Sequence, residues 1–291
     1  MYHKTLIRRL ARRSAGIAAM AALVAGSTLS FMLLGAVPAS AATHRGALCS
    51  GGSSSGEAGR LNRDLGKALA ARGGTVSVAF LDLTNGVSCD EDANRHFDSA
   101  SVVKTAILAA LLHRTQHAHA ALAANERALA TAMITQSDND AASALWQRIG
   151  GAAGLRSFLA AAGMTQTVPG SGGRWGLTQI TAHDEIKLLS LLATDNHVLS
   201  PASRAYELDL MERVVPSQRW GAPRGALPGE IVAVKNGWLP LSSGGWRVNT
   251  TGVGLGRRSY LVVVLSDGNP SMDYGVATVS SVARAINREA F

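Results

Sequence analysis

The sequence predicts an α+β fold in the broad α/β class: a five-stranded antiparallel sheet flanked by terminal helices, with an all-helical lobe inserted into it. Three observations carry this. Two strand-like segments lie near the start of the 291-residue chain, three lie near its end, and the residues between are helical and rich in Ala and Leu. The sheet lobe is expected from both chain ends, 42–100 and 218–291, and the helical lobe from 101–217, with an active site in the cleft between them.

The first element is not part of the fold. Lys4, Arg8, Arg9, Arg12 and Arg13 form a basic head, followed by an uncharged stretch from Ser14 to Thr43 that contains Val37-Pro38-Ala39-Ser40-Ala41. Residues 1–41 read as a signal peptide with cleavage after Ala41. The apolar stretch is long enough to span a bilayer, so a retained anchor is the alternative. Its Ala, Gly and Ser content and the Ala-Ser-Ala site favour cleavage, giving a secreted, extracytoplasmic protein with no stable membrane anchor. Cys49 is not preceded by a lipoprotein-like box, so lipidation is not expected. Without the five basic residues of the leader, 23 Lys+Arg face 20 Asp+Glu, a formal charge of +3 instead of +8. With no basic run elsewhere, nothing points to nucleic acid. The exported context makes a Cys49–Cys89 disulfide the expected pairing, two free thiols being the alternative.

Ser50 to Gly56 is a Gly/Ser-rich lead-in. Glu57 to Arg72 is a helix, with Leu61, Leu65 and Leu69 at i, i+4 and i+8. Thr75 to Asp82 is a β-branched, alternating strand, and Thr84-Asn85-Gly86 is a hairpin signal leading to a second strand through Cys89. Helices follow from Ser101, then at Glu126 to Thr135, Asp140 to Ile149 and Ala153 to Ala162, before a Gly-rich loop, Pro169 to Gly176. Further helices start at Thr181 and at Ser200-Pro201. Ile231 to Lys235, Gly245 to Val253 and Ser259 to Ser266 are strands, and Ser271 to Ala290 is a closing helix.

Ser101-Val102-Val103-Lys104 opens the first helix of the middle segment, placing a lysine one turn from a serine on the same face. A serine nucleophile needs a nearby base, and a lysine whose surroundings keep it neutral can serve. The helix start adds free N–H groups for an oxyanion. Alone, the pattern reads better as an N-cap serine followed by a solvated lysine, and the rest of the chain decides. Ser137-Asp138-Asn139 lies 36 residues on, between two helices. There Ser137 can relay a proton and Asn139 can bond a substrate amide or orient Lys104, although the tripeptide also fits a helix cap. Lys235-Asn236-Gly237 ends a strand, where a lysine can anchor a carboxylate and a glycine permits close backbone approach. The N–H of Trp238 can join that of Ser101 as an oxyanion hole.

Ser-x-x-Lys, Ser-Asp-Asn and Lys-x-Gly, in this order and separation, resemble the signature of class A β-lactamases and penicillin-binding proteins across essentially the whole mature chain. The resemblance implies Ser101 as the acylated nucleophile, Lys104 as its base or proton shuttle, and Ser137 and Asn139 lining the cleft. It makes Lys235, Asn236, Gly237 and Trp238 the substrate-binding strand. No metal or organic cofactor is implied. The expected partner is a small-molecule β-lactam or a cell-wall-peptide-like substrate, and the expected state is a monomer.

Two departures stand out. Asn236 takes a position usually held by Thr or Ser, and bulky Trp238 follows where a small residue is usual and is expected to narrow the cleft. Class A β-lactamases also resemble one another in a loop Glu that activates the deacylating water, yet no Asp or Glu occurs here between Asp140 and Asp184. The corresponding loop offers Ser171, Arg174 and Trp175. An acyl-enzyme that forms readily and hydrolyses slowly follows, so a D,D-peptidase, an esterase or a non-turnover penicillin-binding sensor stands beside the β-lactamase reading. Arg247 is either a second substrate-carboxylate contact or a salt-bridge partner. His113, His117 and His119 read as exposed imidazoles at a helix end instead of metal ligands.

Overall fold

The computed structural model describes residues 48–52 and 56–289, and the expected signal peptide lies outside them. Helix α1 (Glu57–Ala70) buries Leu61, Leu65 and Leu69 along one stripe. Strand β2 (Thr75–Asp82) turns into β3 (Ser88–Glu91) at Asn85-Gly86, where the Asp82 carboxylate accepts the amides of Thr84 and Asn85 at 2.7 and 3.1 Å. Gly86 adopts φ +76°, a conformation that favours glycine.

The sheet has six strands instead of five. A three-residue strand β1 (Leu48–Ser50) pairs antiparallel with β3, with Cys49 opposite Cys89, and a disulfide joins the two at a Cα–Cα distance of 4.0 Å. Three residues are too few to show period-2 patterning, so β1 had no sequence signal. A second small pairing was also missed: β4 (Phe97–Asp98) joins β5 (Gln179–Ile180) and ties the start of the helical segment to the end of its long loop.

A single 3₁₀ turn, Ala100–Val102, leads into α2 (Val103–His117), in which Val103 to Leu112 are all buried. A helix apolar all round belongs in the middle of a core, and α3 (Ala124–Thr135), α4 (Asn139–Arg148), α5 (Gly151–Ala161) and α7 (Pro201–Glu212) pack around it. Each fully buried Leu or Ile there contributes roughly 1.5–3 kcal/mol over exposure. Helix α6 (Ala182–Ala193) lies between this bundle and the sheet. Strands β6 (Ile231–Pro240), β7 (Trp246–Leu255) and β8 (Tyr260–Asn269) then complete the sheet order β1-β3-β2-β8-β7-β6, every neighbour antiparallel. Helix α8 (Met272–Glu289) closes the chain against α1.

Strand β8 explains its own composition. Leu261, Val263 and Leu265 enter the core shared with α2–α7, while Tyr260, Val262 and Val264 enter the core beneath α1 and α8. A strand covered on both faces reads as a continuous apolar run because neither side meets water.

Candidate active site

Ser101 sits in the 3₁₀ turn before α2, immediately after Ala100, whose φ of +47° is costly for a residue with a Cβ. Two anchors hold that turn. The amide of Ser99 donates to Thr178 O at 2.8 Å. The fully buried Asn249, at the centre of β7, donates through Nδ2 to the carbonyls of Asp98 and Ser99 at 3.0 and 3.3 Å, while its Oδ1 accepts the amide of Ser266. Asn249 therefore fixes the Ser101 turn to the middle of the sheet. Its strand also carries Arg247, Thr250 and Thr251, so nothing in the sequence set Asn249 apart.

Lys104 lies a turn further along α2 with 0% exposure. Its Nζ donates to Ser137 O at 2.6 Å, Ser137 Oγ at 3.1 Å and Asn139 Oδ1 at 2.8 Å. All three ammonium hydrogens are thus committed to the Ser-Asp-Asn segment and none to Ser101 Oγ. Burial lowers this amine from an ordinary 10.5 to about 8, with the charge of Asp138 opposing the shift. Ser137 has φ +59°, a second strained non-glycine residue at the site. Asp138 caps α4 by accepting the Ala141 amide at 2.7 Å, which fixes Asn139 in the first turn. The sequence left Ser-Asp-Asn open between cap and site. Asp138 forms the cap, while Ser137 and Asn139 face Lys104.

Lys235 reaches the same hydroxyl from β6. Its Nζ donates to Ser137 Oγ at 3.0 Å and to Asn236 O at 2.8 Å. Burial first, and then the positive charge of Lys104, holds its amine well below the usual lysine range. With one hydroxyl between them, the charge of Lys104 disfavours protonation of Lys235.

The period of two along β6 corrects two sequence expectations. Lys235 and Gly237 face the serine. A Cβ on Gly237 would stand 2.8 Å from Ser101 N, 2.8 Å from Ser99 O and 2.9 Å from Val102 N, so only glycine lets strand and turn meet. Asn236 and Trp238 face the other way. Asn236 Nδ2 donates to the carbonyls of Gln218 and Trp220 at 2.7 and 2.9 Å, tying the strand to the preceding loop and leaving no amide hydrogen for substrate. The Trp238 ring packs 6.0 Å from Trp220 against the α1–α8 core, so it does not narrow the cleft, and only its backbone remains on the serine side. Arg247 pairs with Asp98 at 2.8 Å and Asp267 at 3.5 Å, the salt-bridge alternative. His113 and His117 stand 3.0 Å apart, Nε2 to Nε2, at the far end of α2.

The loop after α5 brings Trp175 to the site, with Lys104 Nζ 4.9 Å from its ring centroid. Its Nε1 donates to Ser143 Oγ at 3.1 Å. Asp184, on α6, holds the start of this loop by accepting the Gln166 amide and the Thr167 hydroxyl, both at 2.8 Å.

A family description, "Beta-lactamase enzyme family", matches residues 60–126 and 115–290. This chain belongs to that family. Among curated proteins, "Putative lipoprotein LppW" of Mycobacterium bovis and of Mycobacterium tuberculosis are each 32% identical over 204 residues, covering 68% of this chain. The chain spans 64% of the length of those relatives. Among solved structures, that of PBP-A superposes with TM-score 0.68 at 21% identity, over 79% of this chain and 94% of its own. TLA-1 extended-spectrum β-lactamase gives 0.69 at 17%, over 78% and 96%. These similarities establish the fold, a β-lactamase and transpeptidase-like α+β architecture. In this chain the loop that approaches the Ser-x-x-Lys lysine presents an indole, that of Trp175.

Proposed function

We infer that this chain is an exported serine acyl-transfer enzyme that takes an acyl group from a β-lactam or a cell-wall-peptide-like amide onto Ser101. The observation that carries this reading is Ser137 Oγ, bonded by Lys104 Nζ at 3.1 Å and by Lys235 Nζ at 3.0 Å beside the strained serine turn. Neutral Lys104 takes the Ser101 proton as Oγ attacks the carbonyl carbon. The developing oxyanion is met by the amides of Ser101 and Trp238. The proton then travels through Ser137 Oγ to the leaving nitrogen as the C–N bond breaks. Lys235 supplies positive potential for a substrate carboxylate, and Asn139 orients Lys104. The reaction runs in the cleft between a sheet lobe of 42–100 and 218–291 and a helical lobe of 101–217. Export rests on the leader 1–41, and two relatives carry "lipoprotein" in their names. One solved structure of a PBP-A variant is an acyl-enzyme complex with penicillin G, in keeping with acylation here.

A second reading, a slowly deacylating D,D-peptidase, esterase or penicillin-binding sensor, is favoured by the loop of Trp175, which carries no carboxylate to activate water. Intact-protein mass spectrometry with a penicillin, run beside turnover of a chromogenic cephalosporin, tests both. A stoichiometric adduct that disappears in Ser101→Ala is expected in either case, and rapid turnover separates a β-lactamase from the rest. If neither an adduct nor hydrolysis of any acyl substrate occurs, the acyl-transfer reading fails.

A further inference from the structure

Helices α1 and α8 lie side by side over the sheet face that points away from Ser101. Between them runs a groove of about 470 Å³, lined by Asp64 and Lys67 of α1 and by Ser281, Arg284 and Arg288 of α8. All three cations are exposed. Lys67 reaches Asp64 at 3.5 Å in a solvent-screened pair, while neither arginine meets a carboxylate among the described residues. Two more exposed cations extend the surface. Arg63 precedes Lys67 by one turn on the outer stripe of α1. Arg224 is carried on a loop that Asn287 ties to α8, its Nδ2 donating to Ala222 O and Arg224 O at 3.1 and 2.8 Å. That loop sits close, because a Cβ on Gly225 would stand 2.9 Å from Arg284 Cα. Five cationic side chains thus surround one described carboxylate, a local +4 in a mature chain whose expected charge is +3. The charge of the molecule is gathered on this face instead of being spread over its surface. A helix C-terminus accounts for Lys67 and Arg288, which lie in last turns, but not for Arg63, Arg224 and Arg284.

We propose that this α1–α8 face docks on a membrane surface of anionic phospholipid, with lipid phosphates held by Lys67, Arg284 and Arg288. The planar fork of an arginine matches the oxygens of a phosphate, and a lysine beside it adds a mobile ammonium. Neither helix exposes a large apolar side chain. The contact is therefore electrostatic, made with headgroups and reversed by salt. A lipid surface suits the order of the chain, because the uncharged stretch of the leader ends at Thr43 and α1 begins 14 residues later, at Glu57. During export this face follows directly behind the segment that crosses the bilayer. Lys235 and Gly237 point from the opposite side of the sheet, so docking leaves the Ser101 cleft open. The docking goes beyond the acyl-transfer reading and needs none of its chemistry.

The test sediments the mature chain (42–291) with phosphatidylcholine vesicles that do or do not contain about 30% phosphatidylglycerol. Binding is expected on the anionic vesicles alone, and is expected to fall at least about tenfold in about 0.5 M NaCl. Each cation is worth about fivefold in partition, so Lys67→Gln/Arg284→Gln/Arg288→Gln is expected to bind about 100-fold more weakly, and Arg284→Gln alone about fivefold. The control, Arg95→Gln/Arg127→Gln/Arg156→Gln, removes the same charge from exposed positions elsewhere, and is expected to stay within about threefold of wild type. Equal losses in the two triple variants would make binding a matter of net charge and overturn the proposal. So would a wild type that ignores the anionic vesicles. Release by micromolar pyrophosphate at constant ionic strength would assign the groove to a free phosphate, and the membrane proposal would fall. Adduct formation with a penicillin, read on the same samples, is expected to be equal in wild type and both triple variants. Its absence throughout would count against the acyl-transfer reading and leave the vesicle result to decide the docking.

Discussion

Lys104 and Lys235 at the site, and Glu185 and Glu207 within the helical segment, are ionisable side chains with 0–1% exposure, yet burial has different consequences for each pair. Between them the lysines bond Ser137, Asn139 and Asn236, and desolvation makes their amines easier to deprotonate. Neither carboxyl oxygen of Glu185 or of Glu207 has a hydrogen-bond partner. Burial pushes Glu185 up to about 8, helped by the charge of Asp184, and Glu207 well above its ordinary 4.5. Desolvation is the same physical force in both places. At the site it lowers two amines that hydrogen bonds hold in place, whereas in the helices it raises two carboxyls that have no hydrogen bond to offset it.

The largest effect that can break this contrast is Lys104→Met. Acylation is expected to fall about 10³-fold, while stability in denaturant holds or rises because a buried charge is removed. A loss under tenfold would place Lys104 with the glutamates, as a buried group without chemistry.

Next comes pH. With Lys104 titrating at about 8, its neutral fraction, and with it the acylation rate, should rise about 50-fold from pH 6 to pH 8 and level off above pH 9. Stopped-flow acylation across that range checks this, and a flat profile would detach the reaction from the lysine pair.

The smallest effect is on folding. The native glutamates keep protons that the unfolded chain releases above its carboxyl pKa near 4.5. Their contribution is therefore fully present below that pH and is lost as pH rises above it, for Glu185 toward 8. Glu185→Gln and Glu207→Leu should each raise unfolding stability at pH 8 by about 1–3 kcal/mol, with less gain at pH 5 and no change in acylation. Equal gains at both pH values would mean that the carboxyls do not titrate with folding.

Much of the fold was legible because its signals are local. The Leu61–Leu65–Leu69 stripe and the apolar run of β8 report their own burial. So does Thr181, whose side chain caps α6 by accepting the Asp184 amide. What stayed hidden is pairing between short segments: β1 with β3, and β4 with β5. At the site, Ser101 and Lys104 were readable from helical spacing, and the alternation that turns Asn236 and Trp238 away was present in the strand period but overridden by motif resemblance. Asn249 was invisible as an anchor, because only contacts across the fold give a polar strand residue a purpose.

The sequence by itself determined which residues could do the chemistry: a serine and a lysine one turn apart, a Ser-Asp-Asn segment, a Lys-x-Gly strand and a loop without carboxylates. The tertiary structure alone decided that two lysines from distant segments meet on one Ser137 hydroxyl, and that the carboxylate-free loop lays an indole over Lys104. The reason is physical. Spacing along the chain fixes which face of an element a side chain occupies, whereas a shifted pKa depends on what another element buries against it.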